Sequence, residues 1–295
     1  MKTLVALLIS WPLVFAASAA TTINSVNRFA YGANIGWQDW RPDVFNGAVI
    51  GQFTCSGYIY AANVGWIHLG NGAPVNNLRY QNNSASDYGV NHDGAGTLVG
   101  YAYGANIGWL TFTNRDANGA VFDGPKVDLL TGKLSGYIWS ANCGWISLSN
   151  SQAHVQTDSI GKGKDSDGDG LPDDWEINYA GNTSTLDGKS DADGDGSSDL
   201  AEYLADTNPL DPNSVLAITL FVASANGTSD TVTWNSQPSR QYRILKRTAL
   251  DPAFPLTDVG LSLINPDPGS STTRAFADTP SATRFFVIEA IDPLP

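Results

Sequence analysis

The chain is poor in the residues that carry most enzyme and transition-metal chemistry. Its 295 residues include three histidines (His68, His92, His154), two cysteines (Cys55, Cys143), one methionine and three glutamates (Glu176, Glu202, Glu289). So few nitrogen and sulfur ligands exclude a zinc cluster, a haem protein or a multi-disulfide scaffold. Charged residues are also scarce, 15% against roughly 25% in an average soluble domain. Lysine and arginine number 16 against 29 acidic residues, so a nucleic-acid partner would lack its basic footprint. There is no G-x-S-x-G elbow, H-E-x-x-H, P-loop or dinucleotide fingerprint. Glycoside hydrolysis needs two carboxylates, usually including a glutamate, and two of the three glutamates stand in loops of a different chemistry. A chain with no catalytic residues and no organic cofactor is expected, an unrecognised extracellular hydrolase being a further alternative.

The longest apolar run, residues 4–17, follows Met1-Lys2 and ends in Ala16-Ala17-Ser18-Ala19-Ala20. It falls short of the ~20 residues that span a bilayer. Residues 1–20 therefore read as a cleaved secretory signal. No later segment is long or apolar enough to cross a membrane, and a secreted, extracellular location follows, with cell-surface association open.

Charge marks the domains. Residues 21–157 carry seven Asp and six Lys/Arg, and residues 214–295 seven acidic and six basic residues. Between them, residues 158–213 hold fifteen acidic residues and three lysines. Almost all of the net charge of −13 belongs to that middle segment. The expected division is 1–20 signal, 21–150 first module, 151–164 linker, 165–213 acidic segment and 214–295 last domain.

The first module repeats itself. Tyr31-Gly-Ala-Asn-Ile-Gly-Trp37, Tyr60-Ala-Ala-Asn-Val-Gly-Trp66, Tyr103-Gly-Ala-Asn-Ile-Gly-Trp109 and Trp139-Ser-Ala-Asn-Cys-Gly-Trp145 are four copies of one unit, three of them preceded by Gly-Tyr. Aromatic and β-branched runs flanking a small-residue Asn step read as a β-hairpin. A two-residue turn would set Tyr103 opposite Gly108. Units of roughly 32 residues fall short of a 40–45-residue propeller blade, so a β-sandwich or barrel is expected. Trp at a fixed offset in every copy reads as core packing, the alternative being a sugar-binding surface. Trp40, outside the repeat pattern, is the candidate for a ligand surface. Cys143 takes the slot of Ile35, Val64 and Ile107, and Cys55 an apolar strand slot. In a secreted chain a Cys55–Cys143 disulfide is expected, with two buried thiols as the alternative.

The acidic segment has a ligand pattern. Asp165, Asp167, Asp169, Asp173 and Glu176 stand at positions 1, 3, 5, 9 and 12 of a loop with Gly170 at 6. Asp191, Asp193, Asp195, Asp199 and Glu202, with Gly196, repeat it. A hard cation takes six to eight oxygens, and this spacing aims alternating carboxylates inward, with Leu171 and Ser197 offering backbone carbonyls. Two Ca²⁺ ions are expected, followed by short helices near 172–179 and 198–205. The loops resemble those of EF-hand, dockerin and thrombospondin type 3 repeat proteins. They depart from a true EF-hand pair in three ways: no helix pattern precedes Asp165, the loops start 26 residues apart, and Pro172 occupies position 8. Asp206, Asn208 and Asp211 are further candidate oxygen donors.

Residues 215–292 alternate strand-like runs with turns, as in a small Greek-key sandwich. Through the strands of Trp234 and Tyr242 they resemble fibronectin type III-like domains. Arg240, Arg243, Lys246 and Arg247 read as a solvated strand face. Together these readings describe a mainly β, secreted, calcium-binding modular protein with a structural or adhesive role. Its partners would be further copies of itself, an extracellular polysaccharide or a cell surface. A carbohydrate-binding protein using the first module's aromatics is the alternative.

Overall fold

The structure, a computed structural model, describes residues 20–115, 121–224, 228–249, 251, 253, 255–278 and 283–295. Nearly all of the 1–20 signal reading lies outside the described residues. The first module forms strands β1 (Ile23–Gly32), β2 (Gly36–Asp39), β3 (Val49–Ile50), β4 (Cys55–Ala61), β5 (Gly65–Asn71), β6 (Val90–His92) and β7 (Leu98–Gly104). It continues with β8 (Gly108–Phe112), β9 (Lys126–Val127), β10 (Leu134–Ser135), β11 (Tyr137–Ser140), β12 (Gly144–Ser147) and β13 (Val155–Thr157).

Four hairpins, β1–β2, β4–β5, β7–β8 and β11–β12, lie side by side in chain order, and β12 returns to pair with β1. The mainly β expectation holds, and the first module is a closed, antiparallel, eight-stranded barrel. Closure leaves no free edge among these eight strands. The strand β13 pairs with β1, and Gly161 bridges Gly51, so the 151–164 segment is in part barrel wall rather than linker.

Each hairpin turns through three residues, not two: Ile35, Val64, Ile107 and Cys143 donate their amides to the carbonyls of Gly32, Ala61, Gly104 and Ser140. The next glycine, such as Gly108 at φ +72°, takes the left-handed conformation that only glycine adopts freely. The extra turn residue shifts the register by one, so Tyr103 faces Trp109 and Gly104 faces Gly108.

The four asparagines explain themselves at this end of the barrel. Asn34 Nδ2 donates to the Cys143 carbonyl (3.0 Å), Asn63 to Ile35 (3.1 Å), Asn106 to Val64 (3.0 Å) and Asn142 to Ile107 (3.0 Å). The bonds run in one direction around the ring and close it. The asparagine is therefore a latch between hairpins as well as a turn former. Asn63→Ala should lower barrel stability by about 1 kcal/mol, the usual worth of one such bond, and Asn63→Asp, which replaces the donor with a charged acceptor, by more. Urea unfolding checks this, and unchanged midpoints for both variants would show that the ring contributes nothing.

The upstream Gly-Tyr pairs mark a close crossing. A Cβ on Gly57, Gly100 or Gly136 would come within 2.3, 2.3 and 1.9 Å of the carbonyl oxygens of Gly47, Gly89 and Gly124. Only a bare backbone lets those segments cross the strand there.

Cross-strand pairs Ile59–Ile67, Ala102–Leu110 and Ile138–Ile146 fill the barrel interior, and Ala30–Gln38 is their counterpart in the first hairpin. Ile35, Ile107, Cys143 and the half-buried Val64 plug the turn end. Trp40, expected on a ligand surface, is instead 1% exposed among these residues. Cys55 and Cys143 are free and buried, so the expected disulfide is absent. Cys55 opens β4, six residues from the turn end at which Cys143 sits, which at about 3.3 Å per residue puts roughly 20 Å of barrel between their levels. Burial pushes the Cys55 thiol up to about 12.

Beyond the barrel come helices α1 (Asp173–Ala180) and α2 (Asp199–Ala205). Gly181 and Asp206 end them in the left-handed conformation. Strands β14 (Ile218–Ala223), β15 (Ser229–Asn235), β16 (Gln241–Arg247), β17 (Thr257–Asp258), β18 (Ser271–Ala277) and β19 (Phe285–Ile291) form two three-stranded antiparallel sheets, ordered β14-β15-β18 and β17-β16-β19. Trp234 and Tyr242 meet edge-on at 5.6 Å in the core between them. No helix among the described residues is long and apolar enough to cross a membrane.

Candidate metal centre

The two acidic loops curl in the same way. Asp165 accepts from the amides of Gly168 (2.7 Å) and Gly170 (3.1 Å), and Asp191 from those of Gly194 (2.8 Å) and Gly196 (3.0 Å). These bonds fold each loop back on its first carboxylate. Asp165, Asp167 and Asp169 thereby bring one oxygen each within 4.8 Å of one another, as do Asp191, Asp193 and Asp195.

The decisive residues are the glutamates of the helices that follow. Glu176 and Glu202 are 0% exposed. Both oxygens of Glu176, Oε2 of Glu202 and Oδ2 of Asp193 and Asp195 are buried without a hydrogen-bond partner among the described residues. A buried carboxylate normally has its lone pairs satisfied, because leaving them bare costs several kcal/mol. Burial, reinforced by Asp169, Asp167, Asp173 and Asp165, pushes Glu176 up to about 7. Burial, reinforced mainly by Asp193 and Asp195, does the same to Glu202, against a hydrogen bond from Thr207. Each loop is thus a set of hard oxygen donors whose charges repel and whose innermost oxygens have no proton donor. A divalent cation is the ligand such a set suits.

The position-9 residues, Asp173 and Asp199, also take part in the loops' internal bonding. Asp173 accepts from the Ser166 amide (2.7 Å), and Asp199 from the amides of Ala192 (3.0 Å) and Asp187 (3.1 Å). They tie each loop to the first turn of its helix. The Leu171 side chain is buried, and its amide donates to Asp169, as that of Ser197 does to Asp195. Asp206, Asn208 and Asp211 are occupied elsewhere: Asp206 accepts from Ser239, Asn208 from the Leu210 amide and Asp211 from the Asn213 amide.

Packing links the loops to each other and to both neighbours. Asp169 accepts from the Gly188 amide at 2.8 Å, joining the first loop to the approach of the second. Leu171, Trp175 and Leu186 share a buried cluster with Phe53 of the barrel, flanked by Leu78 and Leu200. On the other side, Arg240 donates to the Tyr203 and Leu204 carbonyls at the end of α2. Cations belong at a helix C-terminus. Of the basic strand face, Arg240 is thus a docking residue, while Arg243 pairs with Glu289 and Lys246 with Asp278.

The repeat's aromatics are the second surprise. The tryptophans expected in the core lie on the outer wall, Trp37, Trp66, Trp109 and Trp145 being 45–47% exposed. Tyr31, Tyr60, Tyr103 and Trp139 pair with them across each hairpin. No family model, curated protein or solved structure matches the chain.

Proposed function

We propose that this is a secreted, non-catalytic, calcium-binding protein whose acidic segment, once loaded, fixes the barrel and the C-terminal sandwich relative to each other. Its role is structural or adhesive: it holds the barrel out as a display surface. The observation that carries this reading is the pair of buried glutamates, Glu176 and Glu202, which face aspartates and of whose four oxygens only Glu202 Oε1 finds a donor among the described residues. Two Ca²⁺ ions would bring four positive charges into a segment with fifteen acidic residues and three lysines. The aspartates at positions 1, 3 and 5 and the glutamate at 12 would hold each ion, while Asp173 and Asp199 brace the loops. Affinities of ~10⁻⁴–10⁻³ M, typical of extracellular modules, suit a compartment rich in calcium. Metal binding of this kind is coupled to folding. The loops sit between Phe53 on one side and Arg240 on the other, so ordering them orders the junction.

Sedimentation velocity of the whole chain in millimolar calcium and in EDTA tests this. A more compact species in calcium at constant mass is expected. A calcium-dependent rise in mass would make assembly, rather than display, the role. Identical profiles, with no calcium protection of residues 165–213 from protease, would overturn the calcium reading.

A further inference from the structure

In a β-strand neighbouring side chains point to opposite faces, and each hairpin of this barrel uses that alternation in the same way. Ile67, Leu110 and Ile146 point inward, and the tryptophans before them point out. The cross-strand ring contacts are alike too: Tyr31–Trp37 at 4.9 Å, Tyr60–Trp66 at 5.1 Å and Tyr103–Trp109 at 4.9 Å. Further rings meet each tryptophan edge-on: Phe29, Tyr58, Tyr101 and Tyr137 lie diagonally at 6.5, 5.9, 6.1 and 6.3 Å, Tyr88 adds an edge to Trp109 at 4.9 Å and Phe122 one to Trp145 at 4.8 Å. Soluble domains seldom leave contiguous apolar area of this kind uncovered unless something binds to it.

The register says what kind of partner fits. Two residues after each tryptophan, on the same outward face, stand Asp39, His68, Thr111 and Ser147. Each is paired across the hairpin boundary with the leading aromatic of an adjacent copy: Tyr60, Tyr103, Trp139 and Tyr31. Every ring pair therefore has a polar side chain beside it, and only Asp39 among these four carries a fixed charge. Asp39 pairs with Arg28 and accepts from the Arg41 amide, His68 Nδ1 shares a hydrogen bond with Tyr88 Oη at 2.8 Å, and Ser147 donates to the Ser149 carbonyl, so a ligand hydroxyl would meet the sites these bonds leave over. Flat rings edged with neutral donors and acceptors match a pyranose, which has an apolar C–H face and a rim of hydroxyls. A lipid bilayer fits poorly: the rings circle the barrel, so a plane touches only a fraction of them. Most hairpin strands, at four to seven residues, are also too short for the ~9–11 of a membrane barrel.

We propose that the outer wall of the barrel is a four-sided binding surface for neutral polysaccharide, each hairpin presenting one Trp/Tyr platform (Trp/Trp in the fourth). Four platforms facing four directions let one molecule hold several glycan strands, so the barrel acts as a cross-linking node. Individually weak sites then give strong binding to a polymer, since linked sites gain about 10²–10⁴ in avidity. This goes beyond the calcium reading and does not depend on it.

The test is affinity gel electrophoresis of the full chain in gels containing a mixed-linkage β-glucan, a galactomannan or a xylan, run in calcium and in EDTA. Retardation by at least one of these is expected. It should fall severalfold in Trp66→Ala or Trp109→Ala and at least tenfold in the variant with all four tryptophans changed to alanine. Far-ultraviolet circular dichroism reports whether each variant folds. Should the fourfold variant fail to fold, Tyr60→Ala and Tyr103→Ala, which strip a platform of its second ring, carry the test and should also bind several times less. Failure of the folded wild-type chain to be retarded in any of the three gels would overturn the proposal, as would undiminished binding by the folded variants. So would phosphatidylcholine-vesicle binding or self-association that the same substitutions abolish, since the rings would then serve a membrane or a second copy.

Discussion

Replacing Glu176 with glutamine is expected to stabilise residues 165–213 in EDTA and to destabilise them in millimolar calcium. The opposite signs come from one side chain. Without metal, Glu176 is a buried carboxylate among aspartates, its two oxygens unpartnered among the described residues, and glutamine removes the charge that burial penalises. With metal, the same substitution removes a ligand that can bind through both oxygens. At ~1 mM calcium a site of ~10⁻⁴–10⁻³ M affinity contributes about 0.4–1.4 kcal/mol of ligand-linked stability, and a roughly 100-fold loss of affinity would withdraw nearly all of it. The pH dependence also differs between the two conditions. In the metal-free fold both glutamates titrate at about 7, above their ordinary 4.5. Between those values the folded state binds more protons than the unfolded one, so stability falls as pH rises from about 4.5 to 7. In calcium the ion displaces those protons, folded and unfolded chains then bind equally few, and the glutamates' contribution to stability should be nearly flat with pH over that window. Thermal unfolding and protease cutting from pH 5 to 8, with and without EDTA, read both effects. Parallel pH profiles for the two conditions would overturn the assignment. Burial also pushes Asp174 up to about 6, inside this window and in both conditions, so the difference between the two profiles reads the glutamates rather than either profile alone.

The loops were legible in the sequence because the residues that define them lie within twelve positions, where spacing alone fixes geometry. What spacing could not show was which amides Asp173 and Asp199 accept from, since those partners depend on how the first turn of each helix docks. The barrel was half legible. Its four copies and their hairpins were plain, but closure depends on β12 meeting β1, and the latch from Asn34 to Cys143 spans 109 residues. The same distance hid the separation of the two cysteines, which share an apolar pattern but sit at different levels of the barrel. The exposure of the tryptophans, by contrast, had a local signal. In Trp66-Ile67-His68, Trp109-Leu110-Thr111 and Trp145-Ile146-Ser147 the aliphatic and aromatic residues are adjacent, so only one can face the core. The polar residue that follows shares the tryptophan's side. Parity outweighed the general tendency of tryptophan to be buried.

That contrast gives the largest stability effect expected in the chain: Trp40→Ala should cost the barrel about 3–5 kcal/mol, the range for truncating a buried aromatic side chain. Trp40 lies inside the barrel with Ile59, Ile67, Leu110 and Phe112. Its amide donates to Arg28 at 2.9 Å and its carbonyl accepts from Ala48 at 2.8 Å, so its backbone is pinned and cannot shift to fill the space. Such a loss is a large share of the roughly 5–15 kcal/mol that holds a domain together. Trp37, three residues earlier, is half-exposed and loses its ring contacts with Tyr31 and Phe29, about 1–2 kcal/mol. Urea unfolding of the two variants should therefore give a large midpoint shift for Trp40→Ala and a small one for Trp37→Ala, with Trp40→Phe in between. Near-equal shifts would mean that the two rings share one environment and that the inward–outward assignment of the first hairpin is wrong. The expected ordering also separates the barrel's two kinds of tryptophan by function, because the residue that matters least to folding is the one left free to meet a partner.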